Sequence, residues 1–307
     1  MVQGVKGVVG TPVTPFTADG AVDDSALEKT VGFLVESGVA AIALPMHIGE
    51  SLNLSDAERR RVAEIAISTA ARQVPVLVNV SLPGTDNVIA LARHAQGAGA
   101  AGIVVITPYH WRPPDEALLK HFAAVAGAVE IGMVAYNFPA KLGVGVSPSL
   151  VMRMLDLLPN FAGLKDAGLD MEYFTEICRI TSKRDFGVYA GVEYMLPSMV
   201  VGGSGSFSAL GAVAPRLVSD LYLACSAGDL SRALALQRQF SELWQLLQIG
   251  YPATIKVAMT LLGRPVGGPR LPILPLTDAE IATLKTKLDG LEFLEREPRG
   301  WEGRART

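Results

Sequence analysis

Cysteine is nearly absent, with Cys178 and Cys225 the only two in 307 residues. They stand far apart in helix-period segments without a CxxC spacing, so a metal finger is excluded and structural thiols are expected. Histidine is as sparse, and His47, His94, His110 and His121 form no HxxxH or HxH pair, which removes the usual imidazole metal site. No apolar run reaches the roughly 18 to 20 residues of a membrane span, and the N-terminus lacks the basic-then-apolar order of a signal peptide. Excess charge is missing too. The net charge is -3, and the most basic stretch, Arg59-Arg60-Arg61, has acidic neighbours and reads as a solvated helix face. The expectation is a cytoplasmic protein with no metal and with neither nucleic acid nor membrane as partner.

What is present is apolar residue in quantity, half of the chain, enough for one large core with or without an appendage. Apolar, β-branched or glycine-flanked runs recur at 5–13, 39–45, 74–80, 101–107, 131–137, 161–165, 186–191 and 199–207. Helix-period segments lie between them, some with clear start signals such as Asp23-Asp24-Ser25 and Ser55-Asp56. Strands apolar on both faces and alternating with helices predict an all-parallel sheet covered on both sides. A doubly wound sheet could also hold eight strands, but the regular spacing and the count of eight favour a closed (β/α)₈ TIM barrel. The barrel is expected over 1–227, a C-terminal helical appendage over 228–295 and a frayed polar tail over 296–307. Gly202-Gly203-Ser204-Gly205 is open to a phosphate reading at the end of strand eight. It lacks the third glycine of a dinucleotide fingerprint, and tight packing is the favoured reading.

In a barrel the C-terminal strand ends converge on one mouth, which makes them the candidate site. They carry Thr11 and Thr14, the run Met46 to Glu50, Asn79, Thr107, Tyr109 and His110. Tyr136, Asn137, Lys165, Gly191, Glu193 and Phe207 complete the set. Lys165 closes the apolar run Phe161-Ala162-Gly163-Leu164. An amine held among apolar walls loses hydration, which can lower its pKa to roughly 7 to 8 and leave it free to attack a carbonyl as a Schiff-base lysine. A structural ion pair with Asp166 or another carboxylate is the alternative, and the strand pattern alone leaves both open. Tyr136, ending the neighbouring strand in YNFP, shifts the balance, since its phenol can shuttle protons during imine formation and C–C bond changes.

The segments TPVTPF, MHIGES, TPYHWRP, YNFPAKLG, GLKDAGLD, VYAGVE and the late KVAMTLLG…RLPILPLT, in that order, span nearly the whole chain. This combination resembles the dihydrodipicolinate synthase / N-acetylneuraminate lyase superfamily of Schiff-base-forming aldolases. The resemblance implies an imine between Lys165 and pyruvate or a longer 2-oxo acid, with Tyr136 as the proton-transfer phenol. It also implies that no metal or organic cofactor is needed and that the protein is a homotetramer, a dimer of tight dimers.

The chain departs from the family at several positions. Two hydroxyl residues of the strand-two loop, one relaying protons and one holding the substrate carboxylate, are here His47 and Ile48. The backbone N–H groups of Ile48 and Gly49 remain as carboxylate donors. The lost side-chain bond is worth about 1.5 to 3 kcal/mol. His110 replaces a tyrosine that, in the family, reaches across the tight dimer into the partner's site, so His47 and His110 together stand in for the usual relay. Lys141 replaces an arginine that grips the second substrate in the synthase and cannot form its bidentate fork. Gly191, Glu193 and Phe207 complete the expected substrate-binding set, with Glu193-Tyr194 keeping half of the sialic-acid lyase's acidic pair. These residues point to a lyase acting on a 2-oxo acid, either an aldolase with an aldehyde partner or a dehydratase. Dihydrodipicolinate synthase proper is the alternative enzyme, and a non-catalytic sugar-acid sensor is the alternative of another class.

Overall fold

The computed structural model describes residues 5–191 and 194–303. Among these residues eight parallel strands, β1 (Gly7–Gly10), β2 (Ala41–Leu44), β3 (Val76–Asn79), β4 (Gly102–Ile106), β5 (Gly132–Asn137), β6 (Phe161–Asp166), β7 (Gly187–Ala190) and β8 (Gly205–Ser208), close in sequential order. The eighth pairs back onto the first, Val9 facing Phe207. This is the (β/α)₈ barrel expected from the alternation. Its strands are short and buried on both faces, Ala-Ile-Ala-Leu of β2 being buried throughout, because interior and helical layer both exclude water.

The outer layer comprises α1 (Asp24–Glu36), α2 (Asp56–Ala70), α3 (Thr85–Ala98), α4 (Asp115–Ala126), the short α5 (Pro139–Leu142), α6 (Pro148–Leu157), α7 (Met171–Thr181), α8 (Met195–Val200) and α9 (Pro215–Ser226). The start signals act as such. Asp23 accepts from the Ala26 N–H at 2.9 Å, and Ser55 and Glu58 form a reciprocal capping box at the head of α2. The arginine run of α2 is not a uniformly solvated face: Arg61 pairs with Asp24 in solvent, whereas Arg59 is 3% exposed and donates to the Ser81 carbonyl. A helix facing the barrel buries one side every 3.6 residues, and Arg59 lies on that side.

Two further expectations need correction. The run 199–207 is not one strand: Met199 and Val200 end α8, and β8 begins only at Gly205. The glycine cluster therefore precedes β8 at the barrel's N-terminal end, away from the mouth. The N–H groups of Gly202, Gly203 and Ser204 bond Met199, Ser198 and Val188 carbonyls, and a Cβ on Gly205 would lie 1.9 Å from the Gly7 carbonyl oxygen. Close strand approach at Gly205, the Ser198 carbonyl 2.7 Å from a Cβ on Gly203, and φ 106° at Gly202 account for these glycines without phosphate. The tail expected to fray from 296 is instead docked as far as Gly303. The fully buried Arg264 donates to the Pro298 and Gly300 carbonyls, Glu297 accepts from the N–H groups of Arg216 and Leu217, and Trp301 meets Phe33 edge-on at 6.4 Å. A buried guanidinium needs acceptors, and the tail supplies them.

Among the described residues three α-helices follow the barrel, α10 (Leu230–Leu247), which packs on α9, α11 (Ala253–Leu261) and α12 (Asp278–Asp289), and then a 3-10 turn over Glu292–Arg296. Among the described residues no helix is long and apolar enough to cross a membrane.

Candidate active site

The β5–β6 register sets Tyr136 directly opposite Lys165. Residues opposed in a parallel pair point to the same face, here the barrel interior. Lys165 Nζ accordingly sits 3.7 Å from the centroid of the Tyr136 ring and 5.3 Å from that of Phe207, with Lys165 and Tyr136 each 4% exposed. Room for this side chain comes from Gly191, where a Cβ would fall 2.7 Å from Lys165 Cε. Burial, and secondarily the Asp166 carboxylate, push the Tyr136 phenol above its ordinary range, so it is held protonated and able to donate.

Asp166, next along the strand, takes the opposite face. Its Oδ1 accepts from Asn137 Nδ2 at 2.7 Å, and burial raises the carboxyl to about 6. The Asp166 carboxylate is thus engaged by Asn137, and the Lys165 charge acts on it only as a lesser, lowering influence. Asn137 also accepts from the Val146 N–H at 2.9 Å and so ties the loop carrying Phe138 and Lys141 to the end of β5.

The loop after β2 brings in His47 and Ile48. Thr14 Oγ1 donates to the Gly49 carbonyl at 2.6 Å, and Asn79 Nδ2 to the Pro45 carbonyl at 2.7 Å. Glu50, left-handed at φ 52°, forms a buried ion pair with Lys256 of α11 at 2.6 Å and accepts from the Arg270 N–H at 2.8 Å. Gly49 is not a carboxylate donor as expected: its N–H turns back to the Met46 carbonyl at 3.0 Å, and it lies behind the cavity wall. The tight turn consumes that donor, while the His47 and Ile48 N–H groups make no backbone bond among the described residues. His47 sits at the rim, stacked on Tyr251 at 5.7 Å. Desolvation of its inner face, followed by the charges of Lys165 and Lys141, holds its pKa below the ordinary 6.5.

These parts enclose a cavity of about 280 Å³ at the C-terminal mouth of the barrel. Lys165, Tyr136, Phe207, Ile48, Thr11 and Met46 form its buried floor and sides, Gly191 borders it, and His47 and Lys141 stand at the rim. His110 does not line the cavity of its own chain. It is exposed, adopts φ 82° and meets the 75% exposed Trp111 edge-on. Glu193 lies outside the described residues.

One whole wall is absent from the strand-end reading. Trp244 and Gln248, at the end of α10, and Tyr251 close the cavity from the C-terminal helices. Their spacing of four and then three residues is that of one helical face, a signal present in the sequence but not tied to any strand end.

A closed barrel presenting a buried lysine in register with a buried phenol, at the mouth where barrel enzymes work, defines a Schiff-base-forming lyase of the class I aldolase type. Comparison with known proteins agrees. The model of the Dihydrodipicolinate synthetase family matches residues 4–290, and the chain belongs to that family. A 4-hydroxy-tetrahydrodipicolinate synthase of Acidiphilium cryptum is 34% identical over 287 residues, 92% of this chain and 97% of the relative. One from Methanosphaerula palustris is 36% identical over 283 residues, 91% of this chain and 97% of the relative. Among solved structures, a prophage protein of the dihydrodipicolinic acid synthase family from E. coli, in complex with pyruvate, superposes with a TM-score of 0.90 at 32% identity, covering 94% of this chain and 99% of the other.

Proposed function

We propose that Lys165 condenses with the C2 carbonyl of pyruvate or a longer 2-oxo acid, releasing water and forming an imine. The in-register Lys165–Tyr136 pair, 3.7 Å from ammonium nitrogen to ring centroid, carries this reading. The imine withdraws electrons from C2, so loss of a C3 proton, or cleavage of the C3–C4 bond, yields an enamine. Tyr136 passes protons to and from the reacting carbons, and His47 exchanges them with solvent at the rim. The Ile48 N–H takes the substrate carboxylate. No metal or organic cofactor is required, because the imine itself is the electron sink. The protein works in the cytoplasm as a homotetramer of tight dimers, with His110 serving the neighbouring subunit's site.

Relatives named 4-hydroxy-tetrahydrodipicolinate synthase favour that activity as a second reading. Lys141, which lacks a guanidinium fork, and the alkyl side chain of Ile48 weigh against it. Borohydride reduction with pyruvate, followed by intact mass and peptide mapping, should add the reduced adduct to Lys165 and nothing to Lys165→Ala. An unmodified wild-type chain with every 2-oxo acid tried would overturn the imine. Complementation of a lysine-requiring strain would decide for the synthase.

A further inference from the structure

Beside the Lys165–Tyr136 pair the cavity is walled by aromatic rings, of which Phe138, Trp244 and Tyr251 have no part in the imine chemistry. The His47 and Tyr251 rings stack at 5.7 Å and 21°, and Trp244 meets Tyr251 edge-on at 5.7 Å and 73°. Phe138 stacks on Tyr136 at 5.8 Å and 15°, and Ile48 adds a buried alkyl surface. Among the described residues the charged and amide side chains on this side, Lys141 and Gln248, are exposed at the rim. A polyhydroxylated or amino-acid-like aldehyde needs a hydrogen-bond partner for each polar group, and a buried hydroxyl left unpaired costs more than it gains. A flat ring instead matches aromatic planes, which favour offset and edge-on contacts.

We propose that the second substrate is an aryl aldehyde seated against the His47–Tyr251 stack and Phe138, and that Trp244 and Tyr251 set this specificity. The proposal rests on the imine reading above. The Lys165 amine and the pyruvate ketone give the imine and water, and C3 then loses a proton to give the enamine. C3 attacks the aldehyde carbon, and the carbonyl π pair moves to oxygen, which takes up a proton as the hydroxyl. Water hydrolyses the imine, which restores the amine and releases a 4-aryl-4-hydroxy-2-oxo acid.

The test supplies purified enzyme with pyruvate and, separately, benzaldehyde, glyceraldehyde or aspartate semialdehyde. Aldehyde loss and product are followed by chromatography. The expected kcat/KM for benzaldehyde exceeds either polar aldehyde by at least tenfold, and this ratio falls at least tenfold in Trp244→Ala and in Tyr251→Ala while Trp244→Phe retains most of it. Borohydride trapping of pyruvate, run in parallel on each protein, reads the imine step apart from the aldehyde. Trapping with a polar aldehyde preferred, or with benzaldehyde not consumed, overturns the proposal. An unchanged ratio in both alanine variants removes Trp244 and Tyr251 from it. Failure of trapping in the wild type strikes the imine reading itself and takes this one with it.

Discussion

At the residue scale, the reactive pair depends on neighbours that are either very small or flat. Gly191 leaves the space that Lys165 Cε occupies, and the Tyr136 and Phe207 rings bound the ammonium. Tyr136→Phe keeps the ring and loses the proton, so pyruvate trapping should persist at a reduced rate while turnover falls by roughly 10² to 10⁴, the range for a lost general acid–base group. Undiminished turnover would remove Tyr136 from the mechanism. His47 gives a prediction with a sign. Its pKa is held below 6.5 by desolvation and then by Lys165 and Lys141, so a relay through the neutral imidazole should survive to lower pH than free histidine allows. The acid limb of kcat should therefore have its midpoint below 6.5, and Lys141→Ala, removing one positive neighbour, should move it upward. Identical midpoints in both proteins, or a limb unaffected by His47→Asn, would count against the relay.

At the element scale, the loop after β2 is held in place by the helices that follow the barrel. Glu50 ends that loop in a left-handed conformation, and its carboxylate is taken up by Lys256 of α11, the Arg270 N–H and Asn53 Nδ2. The Lys256 side chain is 1% exposed, and burial presses its ammonium down to about 8 against the opposing pull of Glu50. Lys256→Met should cost about 3 to 5 kcal/mol in denaturant unfolding, because it strands a buried carboxylate. It should also raise the KM for pyruvate, since His47 and Ile48 precede Glu50 directly. Adding Glu50→Gln should recover part of the stability. A Lys256→Met protein as stable as its parent would mean that the pair does not clamp the loop. This tie also marks where the sequence stopped being legible. Lys165 and Tyr136 could be placed together because strand periodicity and the parallel barrel bring consecutive strand ends into register. The contributions of Trp244, Gln248, Tyr251 and Lys256 depend on how α10 and α11 fold back over the mouth, and no local pattern encodes that approach. The start of β8 is hidden for a related reason: Met199-Val200-Val201, the end of α8 and its C-cap, is as apolar as a strand would be, and short runs do not distinguish the two.

At the scale of the whole molecule, His110 stands on an exposed loop outside the cavity of its own chain. It is exposed beside Trp111, itself 75% exposed, and Trp111 is the kind of aromatic that interface cores favour. His110 holds φ 82°, a left-handed conformation uncommon for a residue with a Cβ, which turns the loop sharply at that point. If the tight dimer is as proposed, each active site is composite, with Lys165 from one chain and His110 from the other. A Lys165→Ala chain and a His110→Ala chain, each weak or dead alone, should then regain activity on co-expression. In the mixed dimer the second chain keeps its own Lys165 and receives an intact His110 from the first, while the other site lacks both. Recovery should therefore not exceed half of the wild-type activity per mixed dimer, measured on heterodimers purified through two different tags. Mixed dimers no more active than the mean of the two parents would place His110 outside the partner's site, and the exposed loop would then need another explanation.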